Sequence, residues 1–341
     1  MKEALFKGCP SELGEAHGRR FAAQIAQSYQ THCAEFEKDP RFPGFIQDMQ
    51  DRLRQALPEA EEELLHIARG SGLLPWQIIA LNYWEELAVL LDGHTAASCS
   101  SIALKSSDHG PLLGKTTDIE PQQFPDYTLQ RVYPQRGYAL VQMAKVGTLK
   151  AEIGMNSAGL CIGTSSSMPT DTVQEPGVER MTLVRYALQY CATVEQAIQF
   201  FEKFHFYRLG LNIVLLEKNG NAAVLEKSIG RQRLRTSGNN YLYATNFYAH
   251  PEMNAVYDHQ VWYFENAFYR HVNLQKAVDN LGVADTLDSV KALLSGHAVV
   301  GSVCDHTDYG TLYASIWAPK NKKFYICTGH PCQEPFREMS F

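Results

Sequence analysis

One segment of the chain, residues 92–118, reads DGHTAASCSSIALKSSDHGPLLGKTTD. Small and polar residues precede Cys99, and a strand-like run begins directly after it. The turn at Asp108-His109-Gly110 separates this run from a second strand that ends in Asp118. Because a hairpin folds its second strand back along its first, we expect Asp118 to lie close to Cys99.

Cys99 has an ordinary interpretation and a chemical one. As a thiol at the start of a strand, it would usually be a small buried core residue. If the Ser98–Cys99 peptide bond were cut, Cys99 would carry a free α-amine with a pKa of about 7.7–8.0, which can serve as the base for its own side chain. The resulting thiolate attacks carbonyl carbons. The residue types alone leave both interpretations open.

Composition and charge exclude several classes of protein. The 341 residues are 45% hydrophobic and 20% charged, which is typical of a folded chain with one large domain or about two domains. Lysine and arginine are scattered and the net charge is −6, so no basic surface for nucleic acid is predicted. The most apolar window, residues 76–91, contains two glutamates and is too short to cross a membrane. With no signal peptide in the N-terminal residues, we expect a cytoplasmic protein whose eight cysteines are mostly free and buried.

The pattern of apolar residues changes near residue 98. Residues 11–91 are predicted to be mostly helical, with Phe21, Ile25 and Tyr29 on one apolar stripe. Longer helices are predicted over residues 45–69, 75–91, 182–204, 262–279 and 287–294. Strands are predicted over residues 100–104, 112–117, 127–133, 138–145, 148–153, 159–164, 211–216, 222–227, 241–245, 311–317 and 323–328. Groups of strands separated by pairs of helices indicate layered α and β elements rather than a repeating βαβ order.

Six blocks of sequence, spread over nearly the whole chain, carry a resemblance to a known family. They are GCPSELG at 8–14 with HG at 17–18, residues 99–118, GMNSAGL at 154–160, ATNF at 244–247, ENAFYR at 265–270 and GHPC at 329–332. With these blocks the chain resembles the acyl-coenzyme A:6-aminopenicillanic acid acyltransferase (isopenicillin N acyltransferase) family of N-terminal nucleophile hydrolases, the peptidase C45 type. It resembles the choloylglycine hydrolases more distantly. One block would be weak evidence, whereas several in the right order identify the chain as a member of this family.

The resemblance implies an α+β fold, the four-layer αββα sandwich in which two sheets lie between layers of helices. Residues 1–98 would form a mostly helical pro-segment or small subunit, packed as one unit with a catalytic domain over residues 99–341. It also implies that Cys99 is the nucleophile. The family frees this residue when the chain cuts itself, here between Ser98 and Cys99.

The resemblance assigns roles to four more residues, each of which also has an ordinary interpretation. Asp118 matches the carboxylate that holds the α-amine of the nucleophile and favours its protonated form, and is otherwise an aspartate at a strand end. Asn156 and Asn246 match asparagines that point at the nucleophile, where one amide donor lowers a barrier by roughly 3–4 kcal/mol. Asn156 also suits a tight turn before Gly159. Arg270 matches an arginine that supports the site by pairing with a carboxylate, and is otherwise an exposed helix residue.

Some positions depart from the family pattern. Lys115 stands where relatives have arginine or glutamine, and it can lower a thiol pKa but cannot bind two groups in a planar fork. Thr116 and Thr117 stand where relatives commonly have an asparagine and an aromatic residue. Ser98 precedes the nucleophile where the best-known member has glycine, but cleavage needs a strained peptide bond rather than a particular side chain. We expect Lys115, Thr116 and Ser165 to contact the substrate.

The expected chemistry proceeds through an acyl-enzyme. Cys99 would attack the carbonyl of a small N-acylated amine or amino acid and form a thioester, which water resolves in a hydrolase and an amine or thiol resolves in an acyltransferase. No cofactor is expected, and coenzyme A, if it is used, is a substrate. The alternative is an uncut, catalytically silent family member that binds acyl ligands, and a homo-oligomer is left open in both cases. Cys304-Asp305-His306 could supply metal ligands, but with no second pair at useful spacing we expect no metal site.

Overall fold

Two large β-sheets face each other, and helices cover their outer surfaces. The computed structural model describes residues 1–91, 98–120, 123, 126–174, 177–280 and 285–341. The predicted α+β class, a four-layer αββα sandwich, is confirmed. The small residues that lead up to Ser98, at positions 92–97, lie outside the described residues.

One sheet has eight strands and is antiparallel except at one edge. In spatial order its strands are β1 (Lys2–Gly8), β4 (Tyr127–Pro134), β5 (Leu140–Lys145), β6 (Ala151–Asn156), β7 (Leu160–Ser167), β10 (Gly210–Glu217), β11 (Ala222–Lys227) and β12 (Gln232–Arg235). β1 pairs with β4 in parallel, and the other neighbours are antiparallel. The first residues of the chain therefore form an edge strand of the eight-stranded sheet, which the sequence did not predict.

The other sheet has six strands and carries Cys99. In spatial order its strands are β13 (Tyr241–Ala244), β2 (Ser98–Leu104), β3 (Leu112–Asp118), β14 (Thr311–Ala318), β15 (Lys323–Thr328) and β16 (Arg337–Ser340). Two short segments, β8 (Gly177–Val178) and β9 (His205–Phe206), pair separately. The predicted hairpins β2–β3, β10–β11 and β14–β15 are present, whereas the short strands β8, β9, β12 and β16 were missed because they carry little apolar alternation.

Most helices belong to one of two layers, each packed on one of the large sheets. In chain order the helices are α1 (Pro10–His32), α2 (Phe42–Ala56), α3 (Pro58–Ser71), α4 (Pro75–Asn82), α5 (Trp84–Leu91), α6 (Arg180–Tyr190), α7 (Val194–Glu202), α8 (Pro251–Asn254), α9 (Phe264–Asn280) and α10 (Leu287–Leu294), with a 3-10 turn at Ala34–Lys38. Helices α1 to α7 pack on the eight-stranded sheet, and α9 and α10 pack on the six-stranded sheet. Pro58 restarts the helix, as expected, because it occupies the first position of α3. Among the described residues, no helix is both long enough and apolar enough to cross a membrane.

Three apolar layers hold the sandwich together, and strand alternation assigns each side chain to one of them. Ala103 and Leu113 pack between the two sheets, against residues such as Val141 and Ile153 of the eight-stranded sheet. Their neighbours Ile102 and Leu112 point the other way, toward α9 and α10. Helices α1 to α7 cover the outer face of the eight-stranded sheet. Since successive residues of a strand point to opposite faces, Cys99 falls on the same face as Ala103 and Ser98 on the opposite face.

Residues 1–91 are joined to the rest of the chain by buried polar contacts as well as by β1. The buried ring of His17 accepts a hydrogen bond from the Gly147 amide (3.0 Å), and Asn82 Oδ1 accepts one from the Leu149 amide (2.9 Å). Burial lowers the pKa of His17 to about 3, so this ring is neutral at pH 7 and can accept the bond. The helical segment therefore packs as an integral part of the sandwich.

Candidate active site

Cys99 is the second residue of β2, and the register of the β2–β3 hairpin determines its neighbours. Cys99 pairs with Thr117, and Ser98 pairs with Asp118. The sequence expectation that the hairpin returns Asp118 to Cys99 therefore agrees with the strand register. By alternation the Cys99 thiol faces the space between the sheets with Thr117, while Asp118 points toward the helices beside the Ser98–Cys99 peptide.

Asn246 and Arg270 hold the backbone of Cys99 on both sides of its Cα. The Cys99 amide donates to Asn246 Oδ1 at 2.6 Å. The Arg270 guanidinium donates to the Cys99 carbonyl oxygen at 2.5 Å, to Ser100 Oγ at 3.0 Å and to Asn246 Oδ1 at 2.9 Å. The backbone N–H and C=O of Cys99 are thus both held by side chains that lie far from it in sequence.

Asn246 and Arg270 reach β2 from the neighbouring strand β13 and from the covering helix α9, respectively. Asn246 follows β13, which pairs with β2 through Ala244 and Ser101, and its Nδ2 donates to the Ser166 carbonyl at 2.8 Å. Arg270 lies on α9, which covers the outer face of the six-stranded sheet. Its side chain is fully buried, not exposed as the ordinary interpretation had it, and burial lowers its pKa although the charge of Asp118 opposes this effect.

Asp118 is a buried carboxyl group with one satisfied oxygen. Its Oδ1 accepts a hydrogen bond from the Thr311 hydroxyl at 2.7 Å. Its Oδ2 is buried, and among the described residues it has no hydrogen-bond partner. Burial raises the pKa of Asp118 to about 7, against the opposing effects of Arg270 and Thr311. A buried carboxylate oxygen without a partner is costly, which makes this atom a candidate for binding a cation or a proton donor.

The thiol itself is closed off from solvent. Cys99 is 6% exposed. Burial raises the pKa of the Cys99 thiol, while the positive charge of Lys115 acts to lower it. Lys115 is fully buried and its ammonium donates to the Thr164 carbonyl at 2.8 Å. Burial therefore disfavours the thiolate form of Cys99, and the charge of Lys115 acts against this effect.

Glu152, which the sequence did not single out, lies in the same space between the sheets. It accepts hydrogen bonds from Thr117 Oγ1 (2.9 Å), from the Tyr127 hydroxyl (2.6 Å) and from the Tyr313 hydroxyl (2.8 Å). Glu152 is the acidic residue of β6, a strand that is otherwise apolar apart from its last residue. A carboxylate in a fully buried strand was the signal that could have identified it.

A small cavity borders the Cys99 thiol. The space open to a water-sized sphere is about 10 Å³, which is room for about one water molecule. Two of its walls, Trp84 and Glu85, come from α5, and Glu85 is held by Arg180 (2.7 Å) and Lys150 (3.3 Å). Helix α5 thus forms part of the wall that closes this cavity.

Of the predicted site residues, Cys99 and Lys115 line this cavity. Asn246 and Arg270 bind the Cys99 backbone, and Asp118 pairs with Ser98. The other three make none of these contacts.

Asn156 makes the tight turn instead of pointing at Cys99. Its Nδ2 donates to the carbonyls of Leu188 and Cys191, and its Oδ1 accepts from the backbone amides of residues 158–160. Thr116 points away from the cavity because it alternates with Lys115 and Thr117, which line it. Ser165 lies in β7, where its hydroxyl donates to the Ala244 carbonyl, while its neighbours Thr164 and Ser166 line the cavity.

The expectation that Cys304 and His306 lack a second pair of metal ligands is wrong. His297, from the segment after α10, and Cys332, from the segment after β15, lie beside them. The sequence could not show this because Cys332 is 26 residues beyond His306 and only the folding of β14 and β15 brings it back. This group is separate from the cavity at Cys99.

The two stacked sheets, their helical layers and a strand that starts beside a buried cysteine define the fold of the N-terminal nucleophile hydrolases. The model of the acyl-coenzyme A:6-aminopenicillanic acid acyl-transferase family matches residues 105–333, which is more than half of the chain. The chain therefore belongs to this family. Membership supports an acylase or amidase activity of the N-terminal nucleophile type.

Solved structures include several that are similar to this chain. Penicillin V acylase from Agrobacterium tumefaciens is 17% identical with a TM-score of 0.47, over 71% of this chain and 86% of that one. The Caenorhabditis elegans ortholog of N-acylethanolamine-hydrolyzing acid amidase is 14% identical with a TM-score of 0.48, over 65% and 93%. A conjugated bile acid hydrolase from Clostridium perfringens is 12% identical with a TM-score of 0.43, over 71% and 92%. Sequence comparison with curated proteins gives no match.

Proposed function

We propose that the chain is the precursor of an N-terminal cysteine amidohydrolase or acyltransferase. In the first step Cys99 Sγ attacks the carbonyl carbon of Ser98, the C–N bond of the Ser98–Cys99 peptide breaks, and the thiol proton passes to the departing nitrogen. Water then hydrolyses the resulting thioester, which leaves a carboxylate on Ser98 and restores the Cys99 thiol. The products are two chains, residues 1–98 and residues 99–341. The second chain begins at Cys99 with a free α-amine.

One observation carries this proposal: the polar groups around the Ser98–Cys99 peptide can bind the intact peptide and also the α-ammonium group that its cleavage would create. Asn246 accepts from the peptide N–H at 2.6 Å, and Arg270 donates to the next carbonyl. The buried Oδ2 of Asp118, on the residue paired with Ser98, has no partner among the described residues. A new α-ammonium at Cys99 would supply the missing partner, because a cation beside a buried carboxylate offsets the cost of burying both.

After cleavage the same groups would serve turnover. The Cys99 thiol would attack the carbonyl of an N-acyl substrate, with the α-amine taking the thiol proton and returning it to the leaving amine. Asn246 and backbone amides would stabilise the oxyanion, an interaction worth about 3–4 kcal/mol. Water, an amine or a thiol would then resolve the thioester on Cys99. No cofactor enters this sequence, and a coenzyme A thioester would act as a substrate.

The substrate we propose is a small N-acylated amine or amino acid. A cavity of about 770 Å³ opens beyond the end of β7, where Met168 follows Ser167, and Val261 and Trp262 supply further apolar walls. This volume lies in the range of small-molecule sites, and the mixed lining, which also includes Arg52 and Asp171, suits a ligand with an apolar acyl group and a polar end. Met168 lies two residues beyond Ser166, whose carbonyl accepts a hydrogen bond from Asn246 Nδ2, and this supports a route from the cavity to Cys99.

Intact-mass analysis of the purified chain tests the first step. We expect two chains that meet at Cys99, and a single uncut species of 38.3 kDa for Cys99→Ala. Cys161→Ala, which removes another buried thiol, is the matched control and should be cut like the wild type. If Cys99→Ala still splits at this bond, self-processing by Cys99 is refuted.

A panel of N-acyl amines and N-acyl amino acids, with and without acyl-coenzyme A, tests the second step. Release of free amine indicates a hydrolase, and transfer to an added amine or thiol indicates an acyltransferase. The rival function, an uncut acyl-binding protein, is favoured by the closed cavity at Cys99 and would give a 38.3 kDa species that binds acyl ligands without turnover.

A further inference from the structure

Four side chains outside the Cys99 site form a compact group of soft ligands. His297, Cys304, His306 and Cys332 each offer one ligand atom, and these four atoms all lie within 4.8 Å of one another. His306 Nε2 lies 3.3 Å from His297 Nε2, 3.5 Å from Cys304 Sγ and 3.2 Å from Cys332 Sγ, and the two sulfurs are 3.5 Å apart.

These separations are those of a tetrahedral metal site. With metal–sulfur and metal–nitrogen bonds of about 2.3 and 2.0–2.1 Å, a tetrahedron places sulfur and sulfur about 3.8 Å apart, sulfur and nitrogen about 3.6 Å, and nitrogen and nitrogen about 3.3 Å. The four separations given above lie within about 0.4 Å of these values, and the other two, from His297 to the sulfurs, are at most 4.8 Å. Two cysteines and two histidines in this geometry select zinc among the common metals.

We propose that His297, Cys304, His306 and Cys332 bind one zinc ion. Four protein ligands fill the tetrahedron, so the ion has no open position for water or substrate, and its role is structural. The ion would take no direct part in the acyl-transfer chemistry proposed for Cys99.

The surrounding backbone already holds the ligands near these positions. The amides of Val303 and Cys304 both donate to the Gly296 carbonyl, at 3.0 and 3.1 Å, which closes the loop between the first two ligands. The Ser295 hydroxyl donates to the Pro331 carbonyl at 3.0 Å, which joins this loop to the residue before Cys332. The zinc ion would tie together two segments that follow different elements, α10 and β15.

The loop that carries Cys304 and His306 is also connected to Asp118, through hydrogen bonds of the Thr311 hydroxyl. Asp305, between the ligands Cys304 and His306, donates its amide to Thr311 Oγ1 at 2.8 Å and accepts from the Thr311 amide at 2.8 Å. Thr311 in turn donates to Asp118 Oδ1 at 2.7 Å. Zinc would therefore fix the loop that positions Thr311 against Asp118.

Metal analysis of the full chain, purified under reducing conditions without chelator, tests this proposal. We expect about one zinc per chain in the wild type and in the uncut Cys99→Ala variant, so the result does not depend on processing. Cobalt added to the zinc-free chain should give the absorption of tetrahedral cobalt with thiolate-to-metal charge transfer. Cys332→Ser and His297→Asn should each lower the zinc content at least fivefold, whereas Cys9→Ser and His259→Asn, on partly or fully exposed residues outside the group, should not.

Two results would overturn the proposal. One is a wild-type chain with less than about 0.1 zinc per chain that takes up neither added zinc nor added cobalt. The other is a Cys304–Cys332 disulfide that persists in reductant, seen as a mass two hydrogens lower, in a chain without zinc. Chelation of the wild type gives a readout that needs no variant: removal of zinc should lower its melting temperature, and zinc but not magnesium should restore it.

Discussion

Arg270 offers the sharpest test of the arrangement around the Ser98–Cys99 bond. Its guanidinium makes four hydrogen bonds, to the Cys99 carbonyl, Ser100 Oγ, Asn246 Oδ1 and Asn266 Oδ1, and it is fully buried. In Arg270→Lys the charge is kept, but a single ammonium cannot reach both the Cys99 carbonyl and Asn246 as the planar fork does. The substitution therefore keeps the positive charge but removes the simultaneous hydrogen bonds to the Cys99 carbonyl and Asn246.

The structure sets the size of the expected effect. A hydrogen bond from a charged donor contributes about 1.5–3 kcal/mol. If one such bond holds the peptide in its reactive geometry, its loss slows self-cleavage by about 10- to 150-fold at 25 °C. The rate is measured by mass spectrometry as the decay of freshly translated 38.3 kDa chain into two fragments.

Arg185→Lys is the matched control for this substitution. Arg185 is as buried as Arg270, but it lies on α6 and donates to Gln189 Oε1 at 2.6 Å, outside the Cys99 site. Urea denaturation in the Cys99→Ala background measures what each substitution costs in stability. Equal cleavage rates for Arg270→Lys and Arg185→Lys, at equal stability, would refute the role assigned to Arg270.

Two further predictions concern Asp118 and its partner Thr311. Burial raises the pKa of Asp118 from 3.8 to about 7, so the folded chain holds this proton more tightly than the unfolded chain does. Ionising Asp118 therefore destabilises the folded chain. This destabilisation is absent below about pH 4 and reaches its full size above about pH 7. In the uncut Cys99→Ala chain, Asp118→Asn should therefore raise the free energy of unfolding by about 2–4 kcal/mol at pH 8 and leave it unchanged at pH 4, as measured with urea; a gain that does not vary with pH would contradict this. Thr311→Val removes the hydroxyl that bonds Asp118 and should slow cleavage about tenfold while the zinc content stays at about one per chain, whereas unchanged cleavage would show that this hydroxyl does not position the carboxylate.

The hairpin around Cys99 could be predicted from the sequence because its information is local. A turn at residues 108–110 between two short runs fixes which residues face each other, and the register that follows pairs Ser98 with Asp118. The surroundings of Thr116 are not local in this way, because a contact with the cavity depends on which face of β3 is covered by helices. That choice is made by α9 and α10, which come more than 140 residues later in the chain.

The two asparagines show the limit of a resemblance carried by short blocks. Asn156 and Asn246 both follow or end a strand, and both are fully or almost fully buried. Asn156 ends β6 directly before a turn, so three backbone amides of that turn saturate its oxygen. Asn246 lies after β13, an edge strand whose neighbour is β2, and so its oxygen meets the Cys99 amide instead. The neighbouring strand, which no local pattern specifies, determines the difference.

The metal ligands and the active-site cover were missed for a related physical reason. Zinc motifs are recognisable in sequence when a short turn brings two pairs of ligands together, whereas here a β-hairpin separates His306 from Cys332. The cover over Cys99 depends on Glu85 of α5 and its buried partners Arg180 and Lys150, which are 95 and 65 residues away. Buried charges persist only when partners satisfy them, so separating Glu85 from Arg180 and Lys150 is costly, and these ion pairs hold α5 against the cavity.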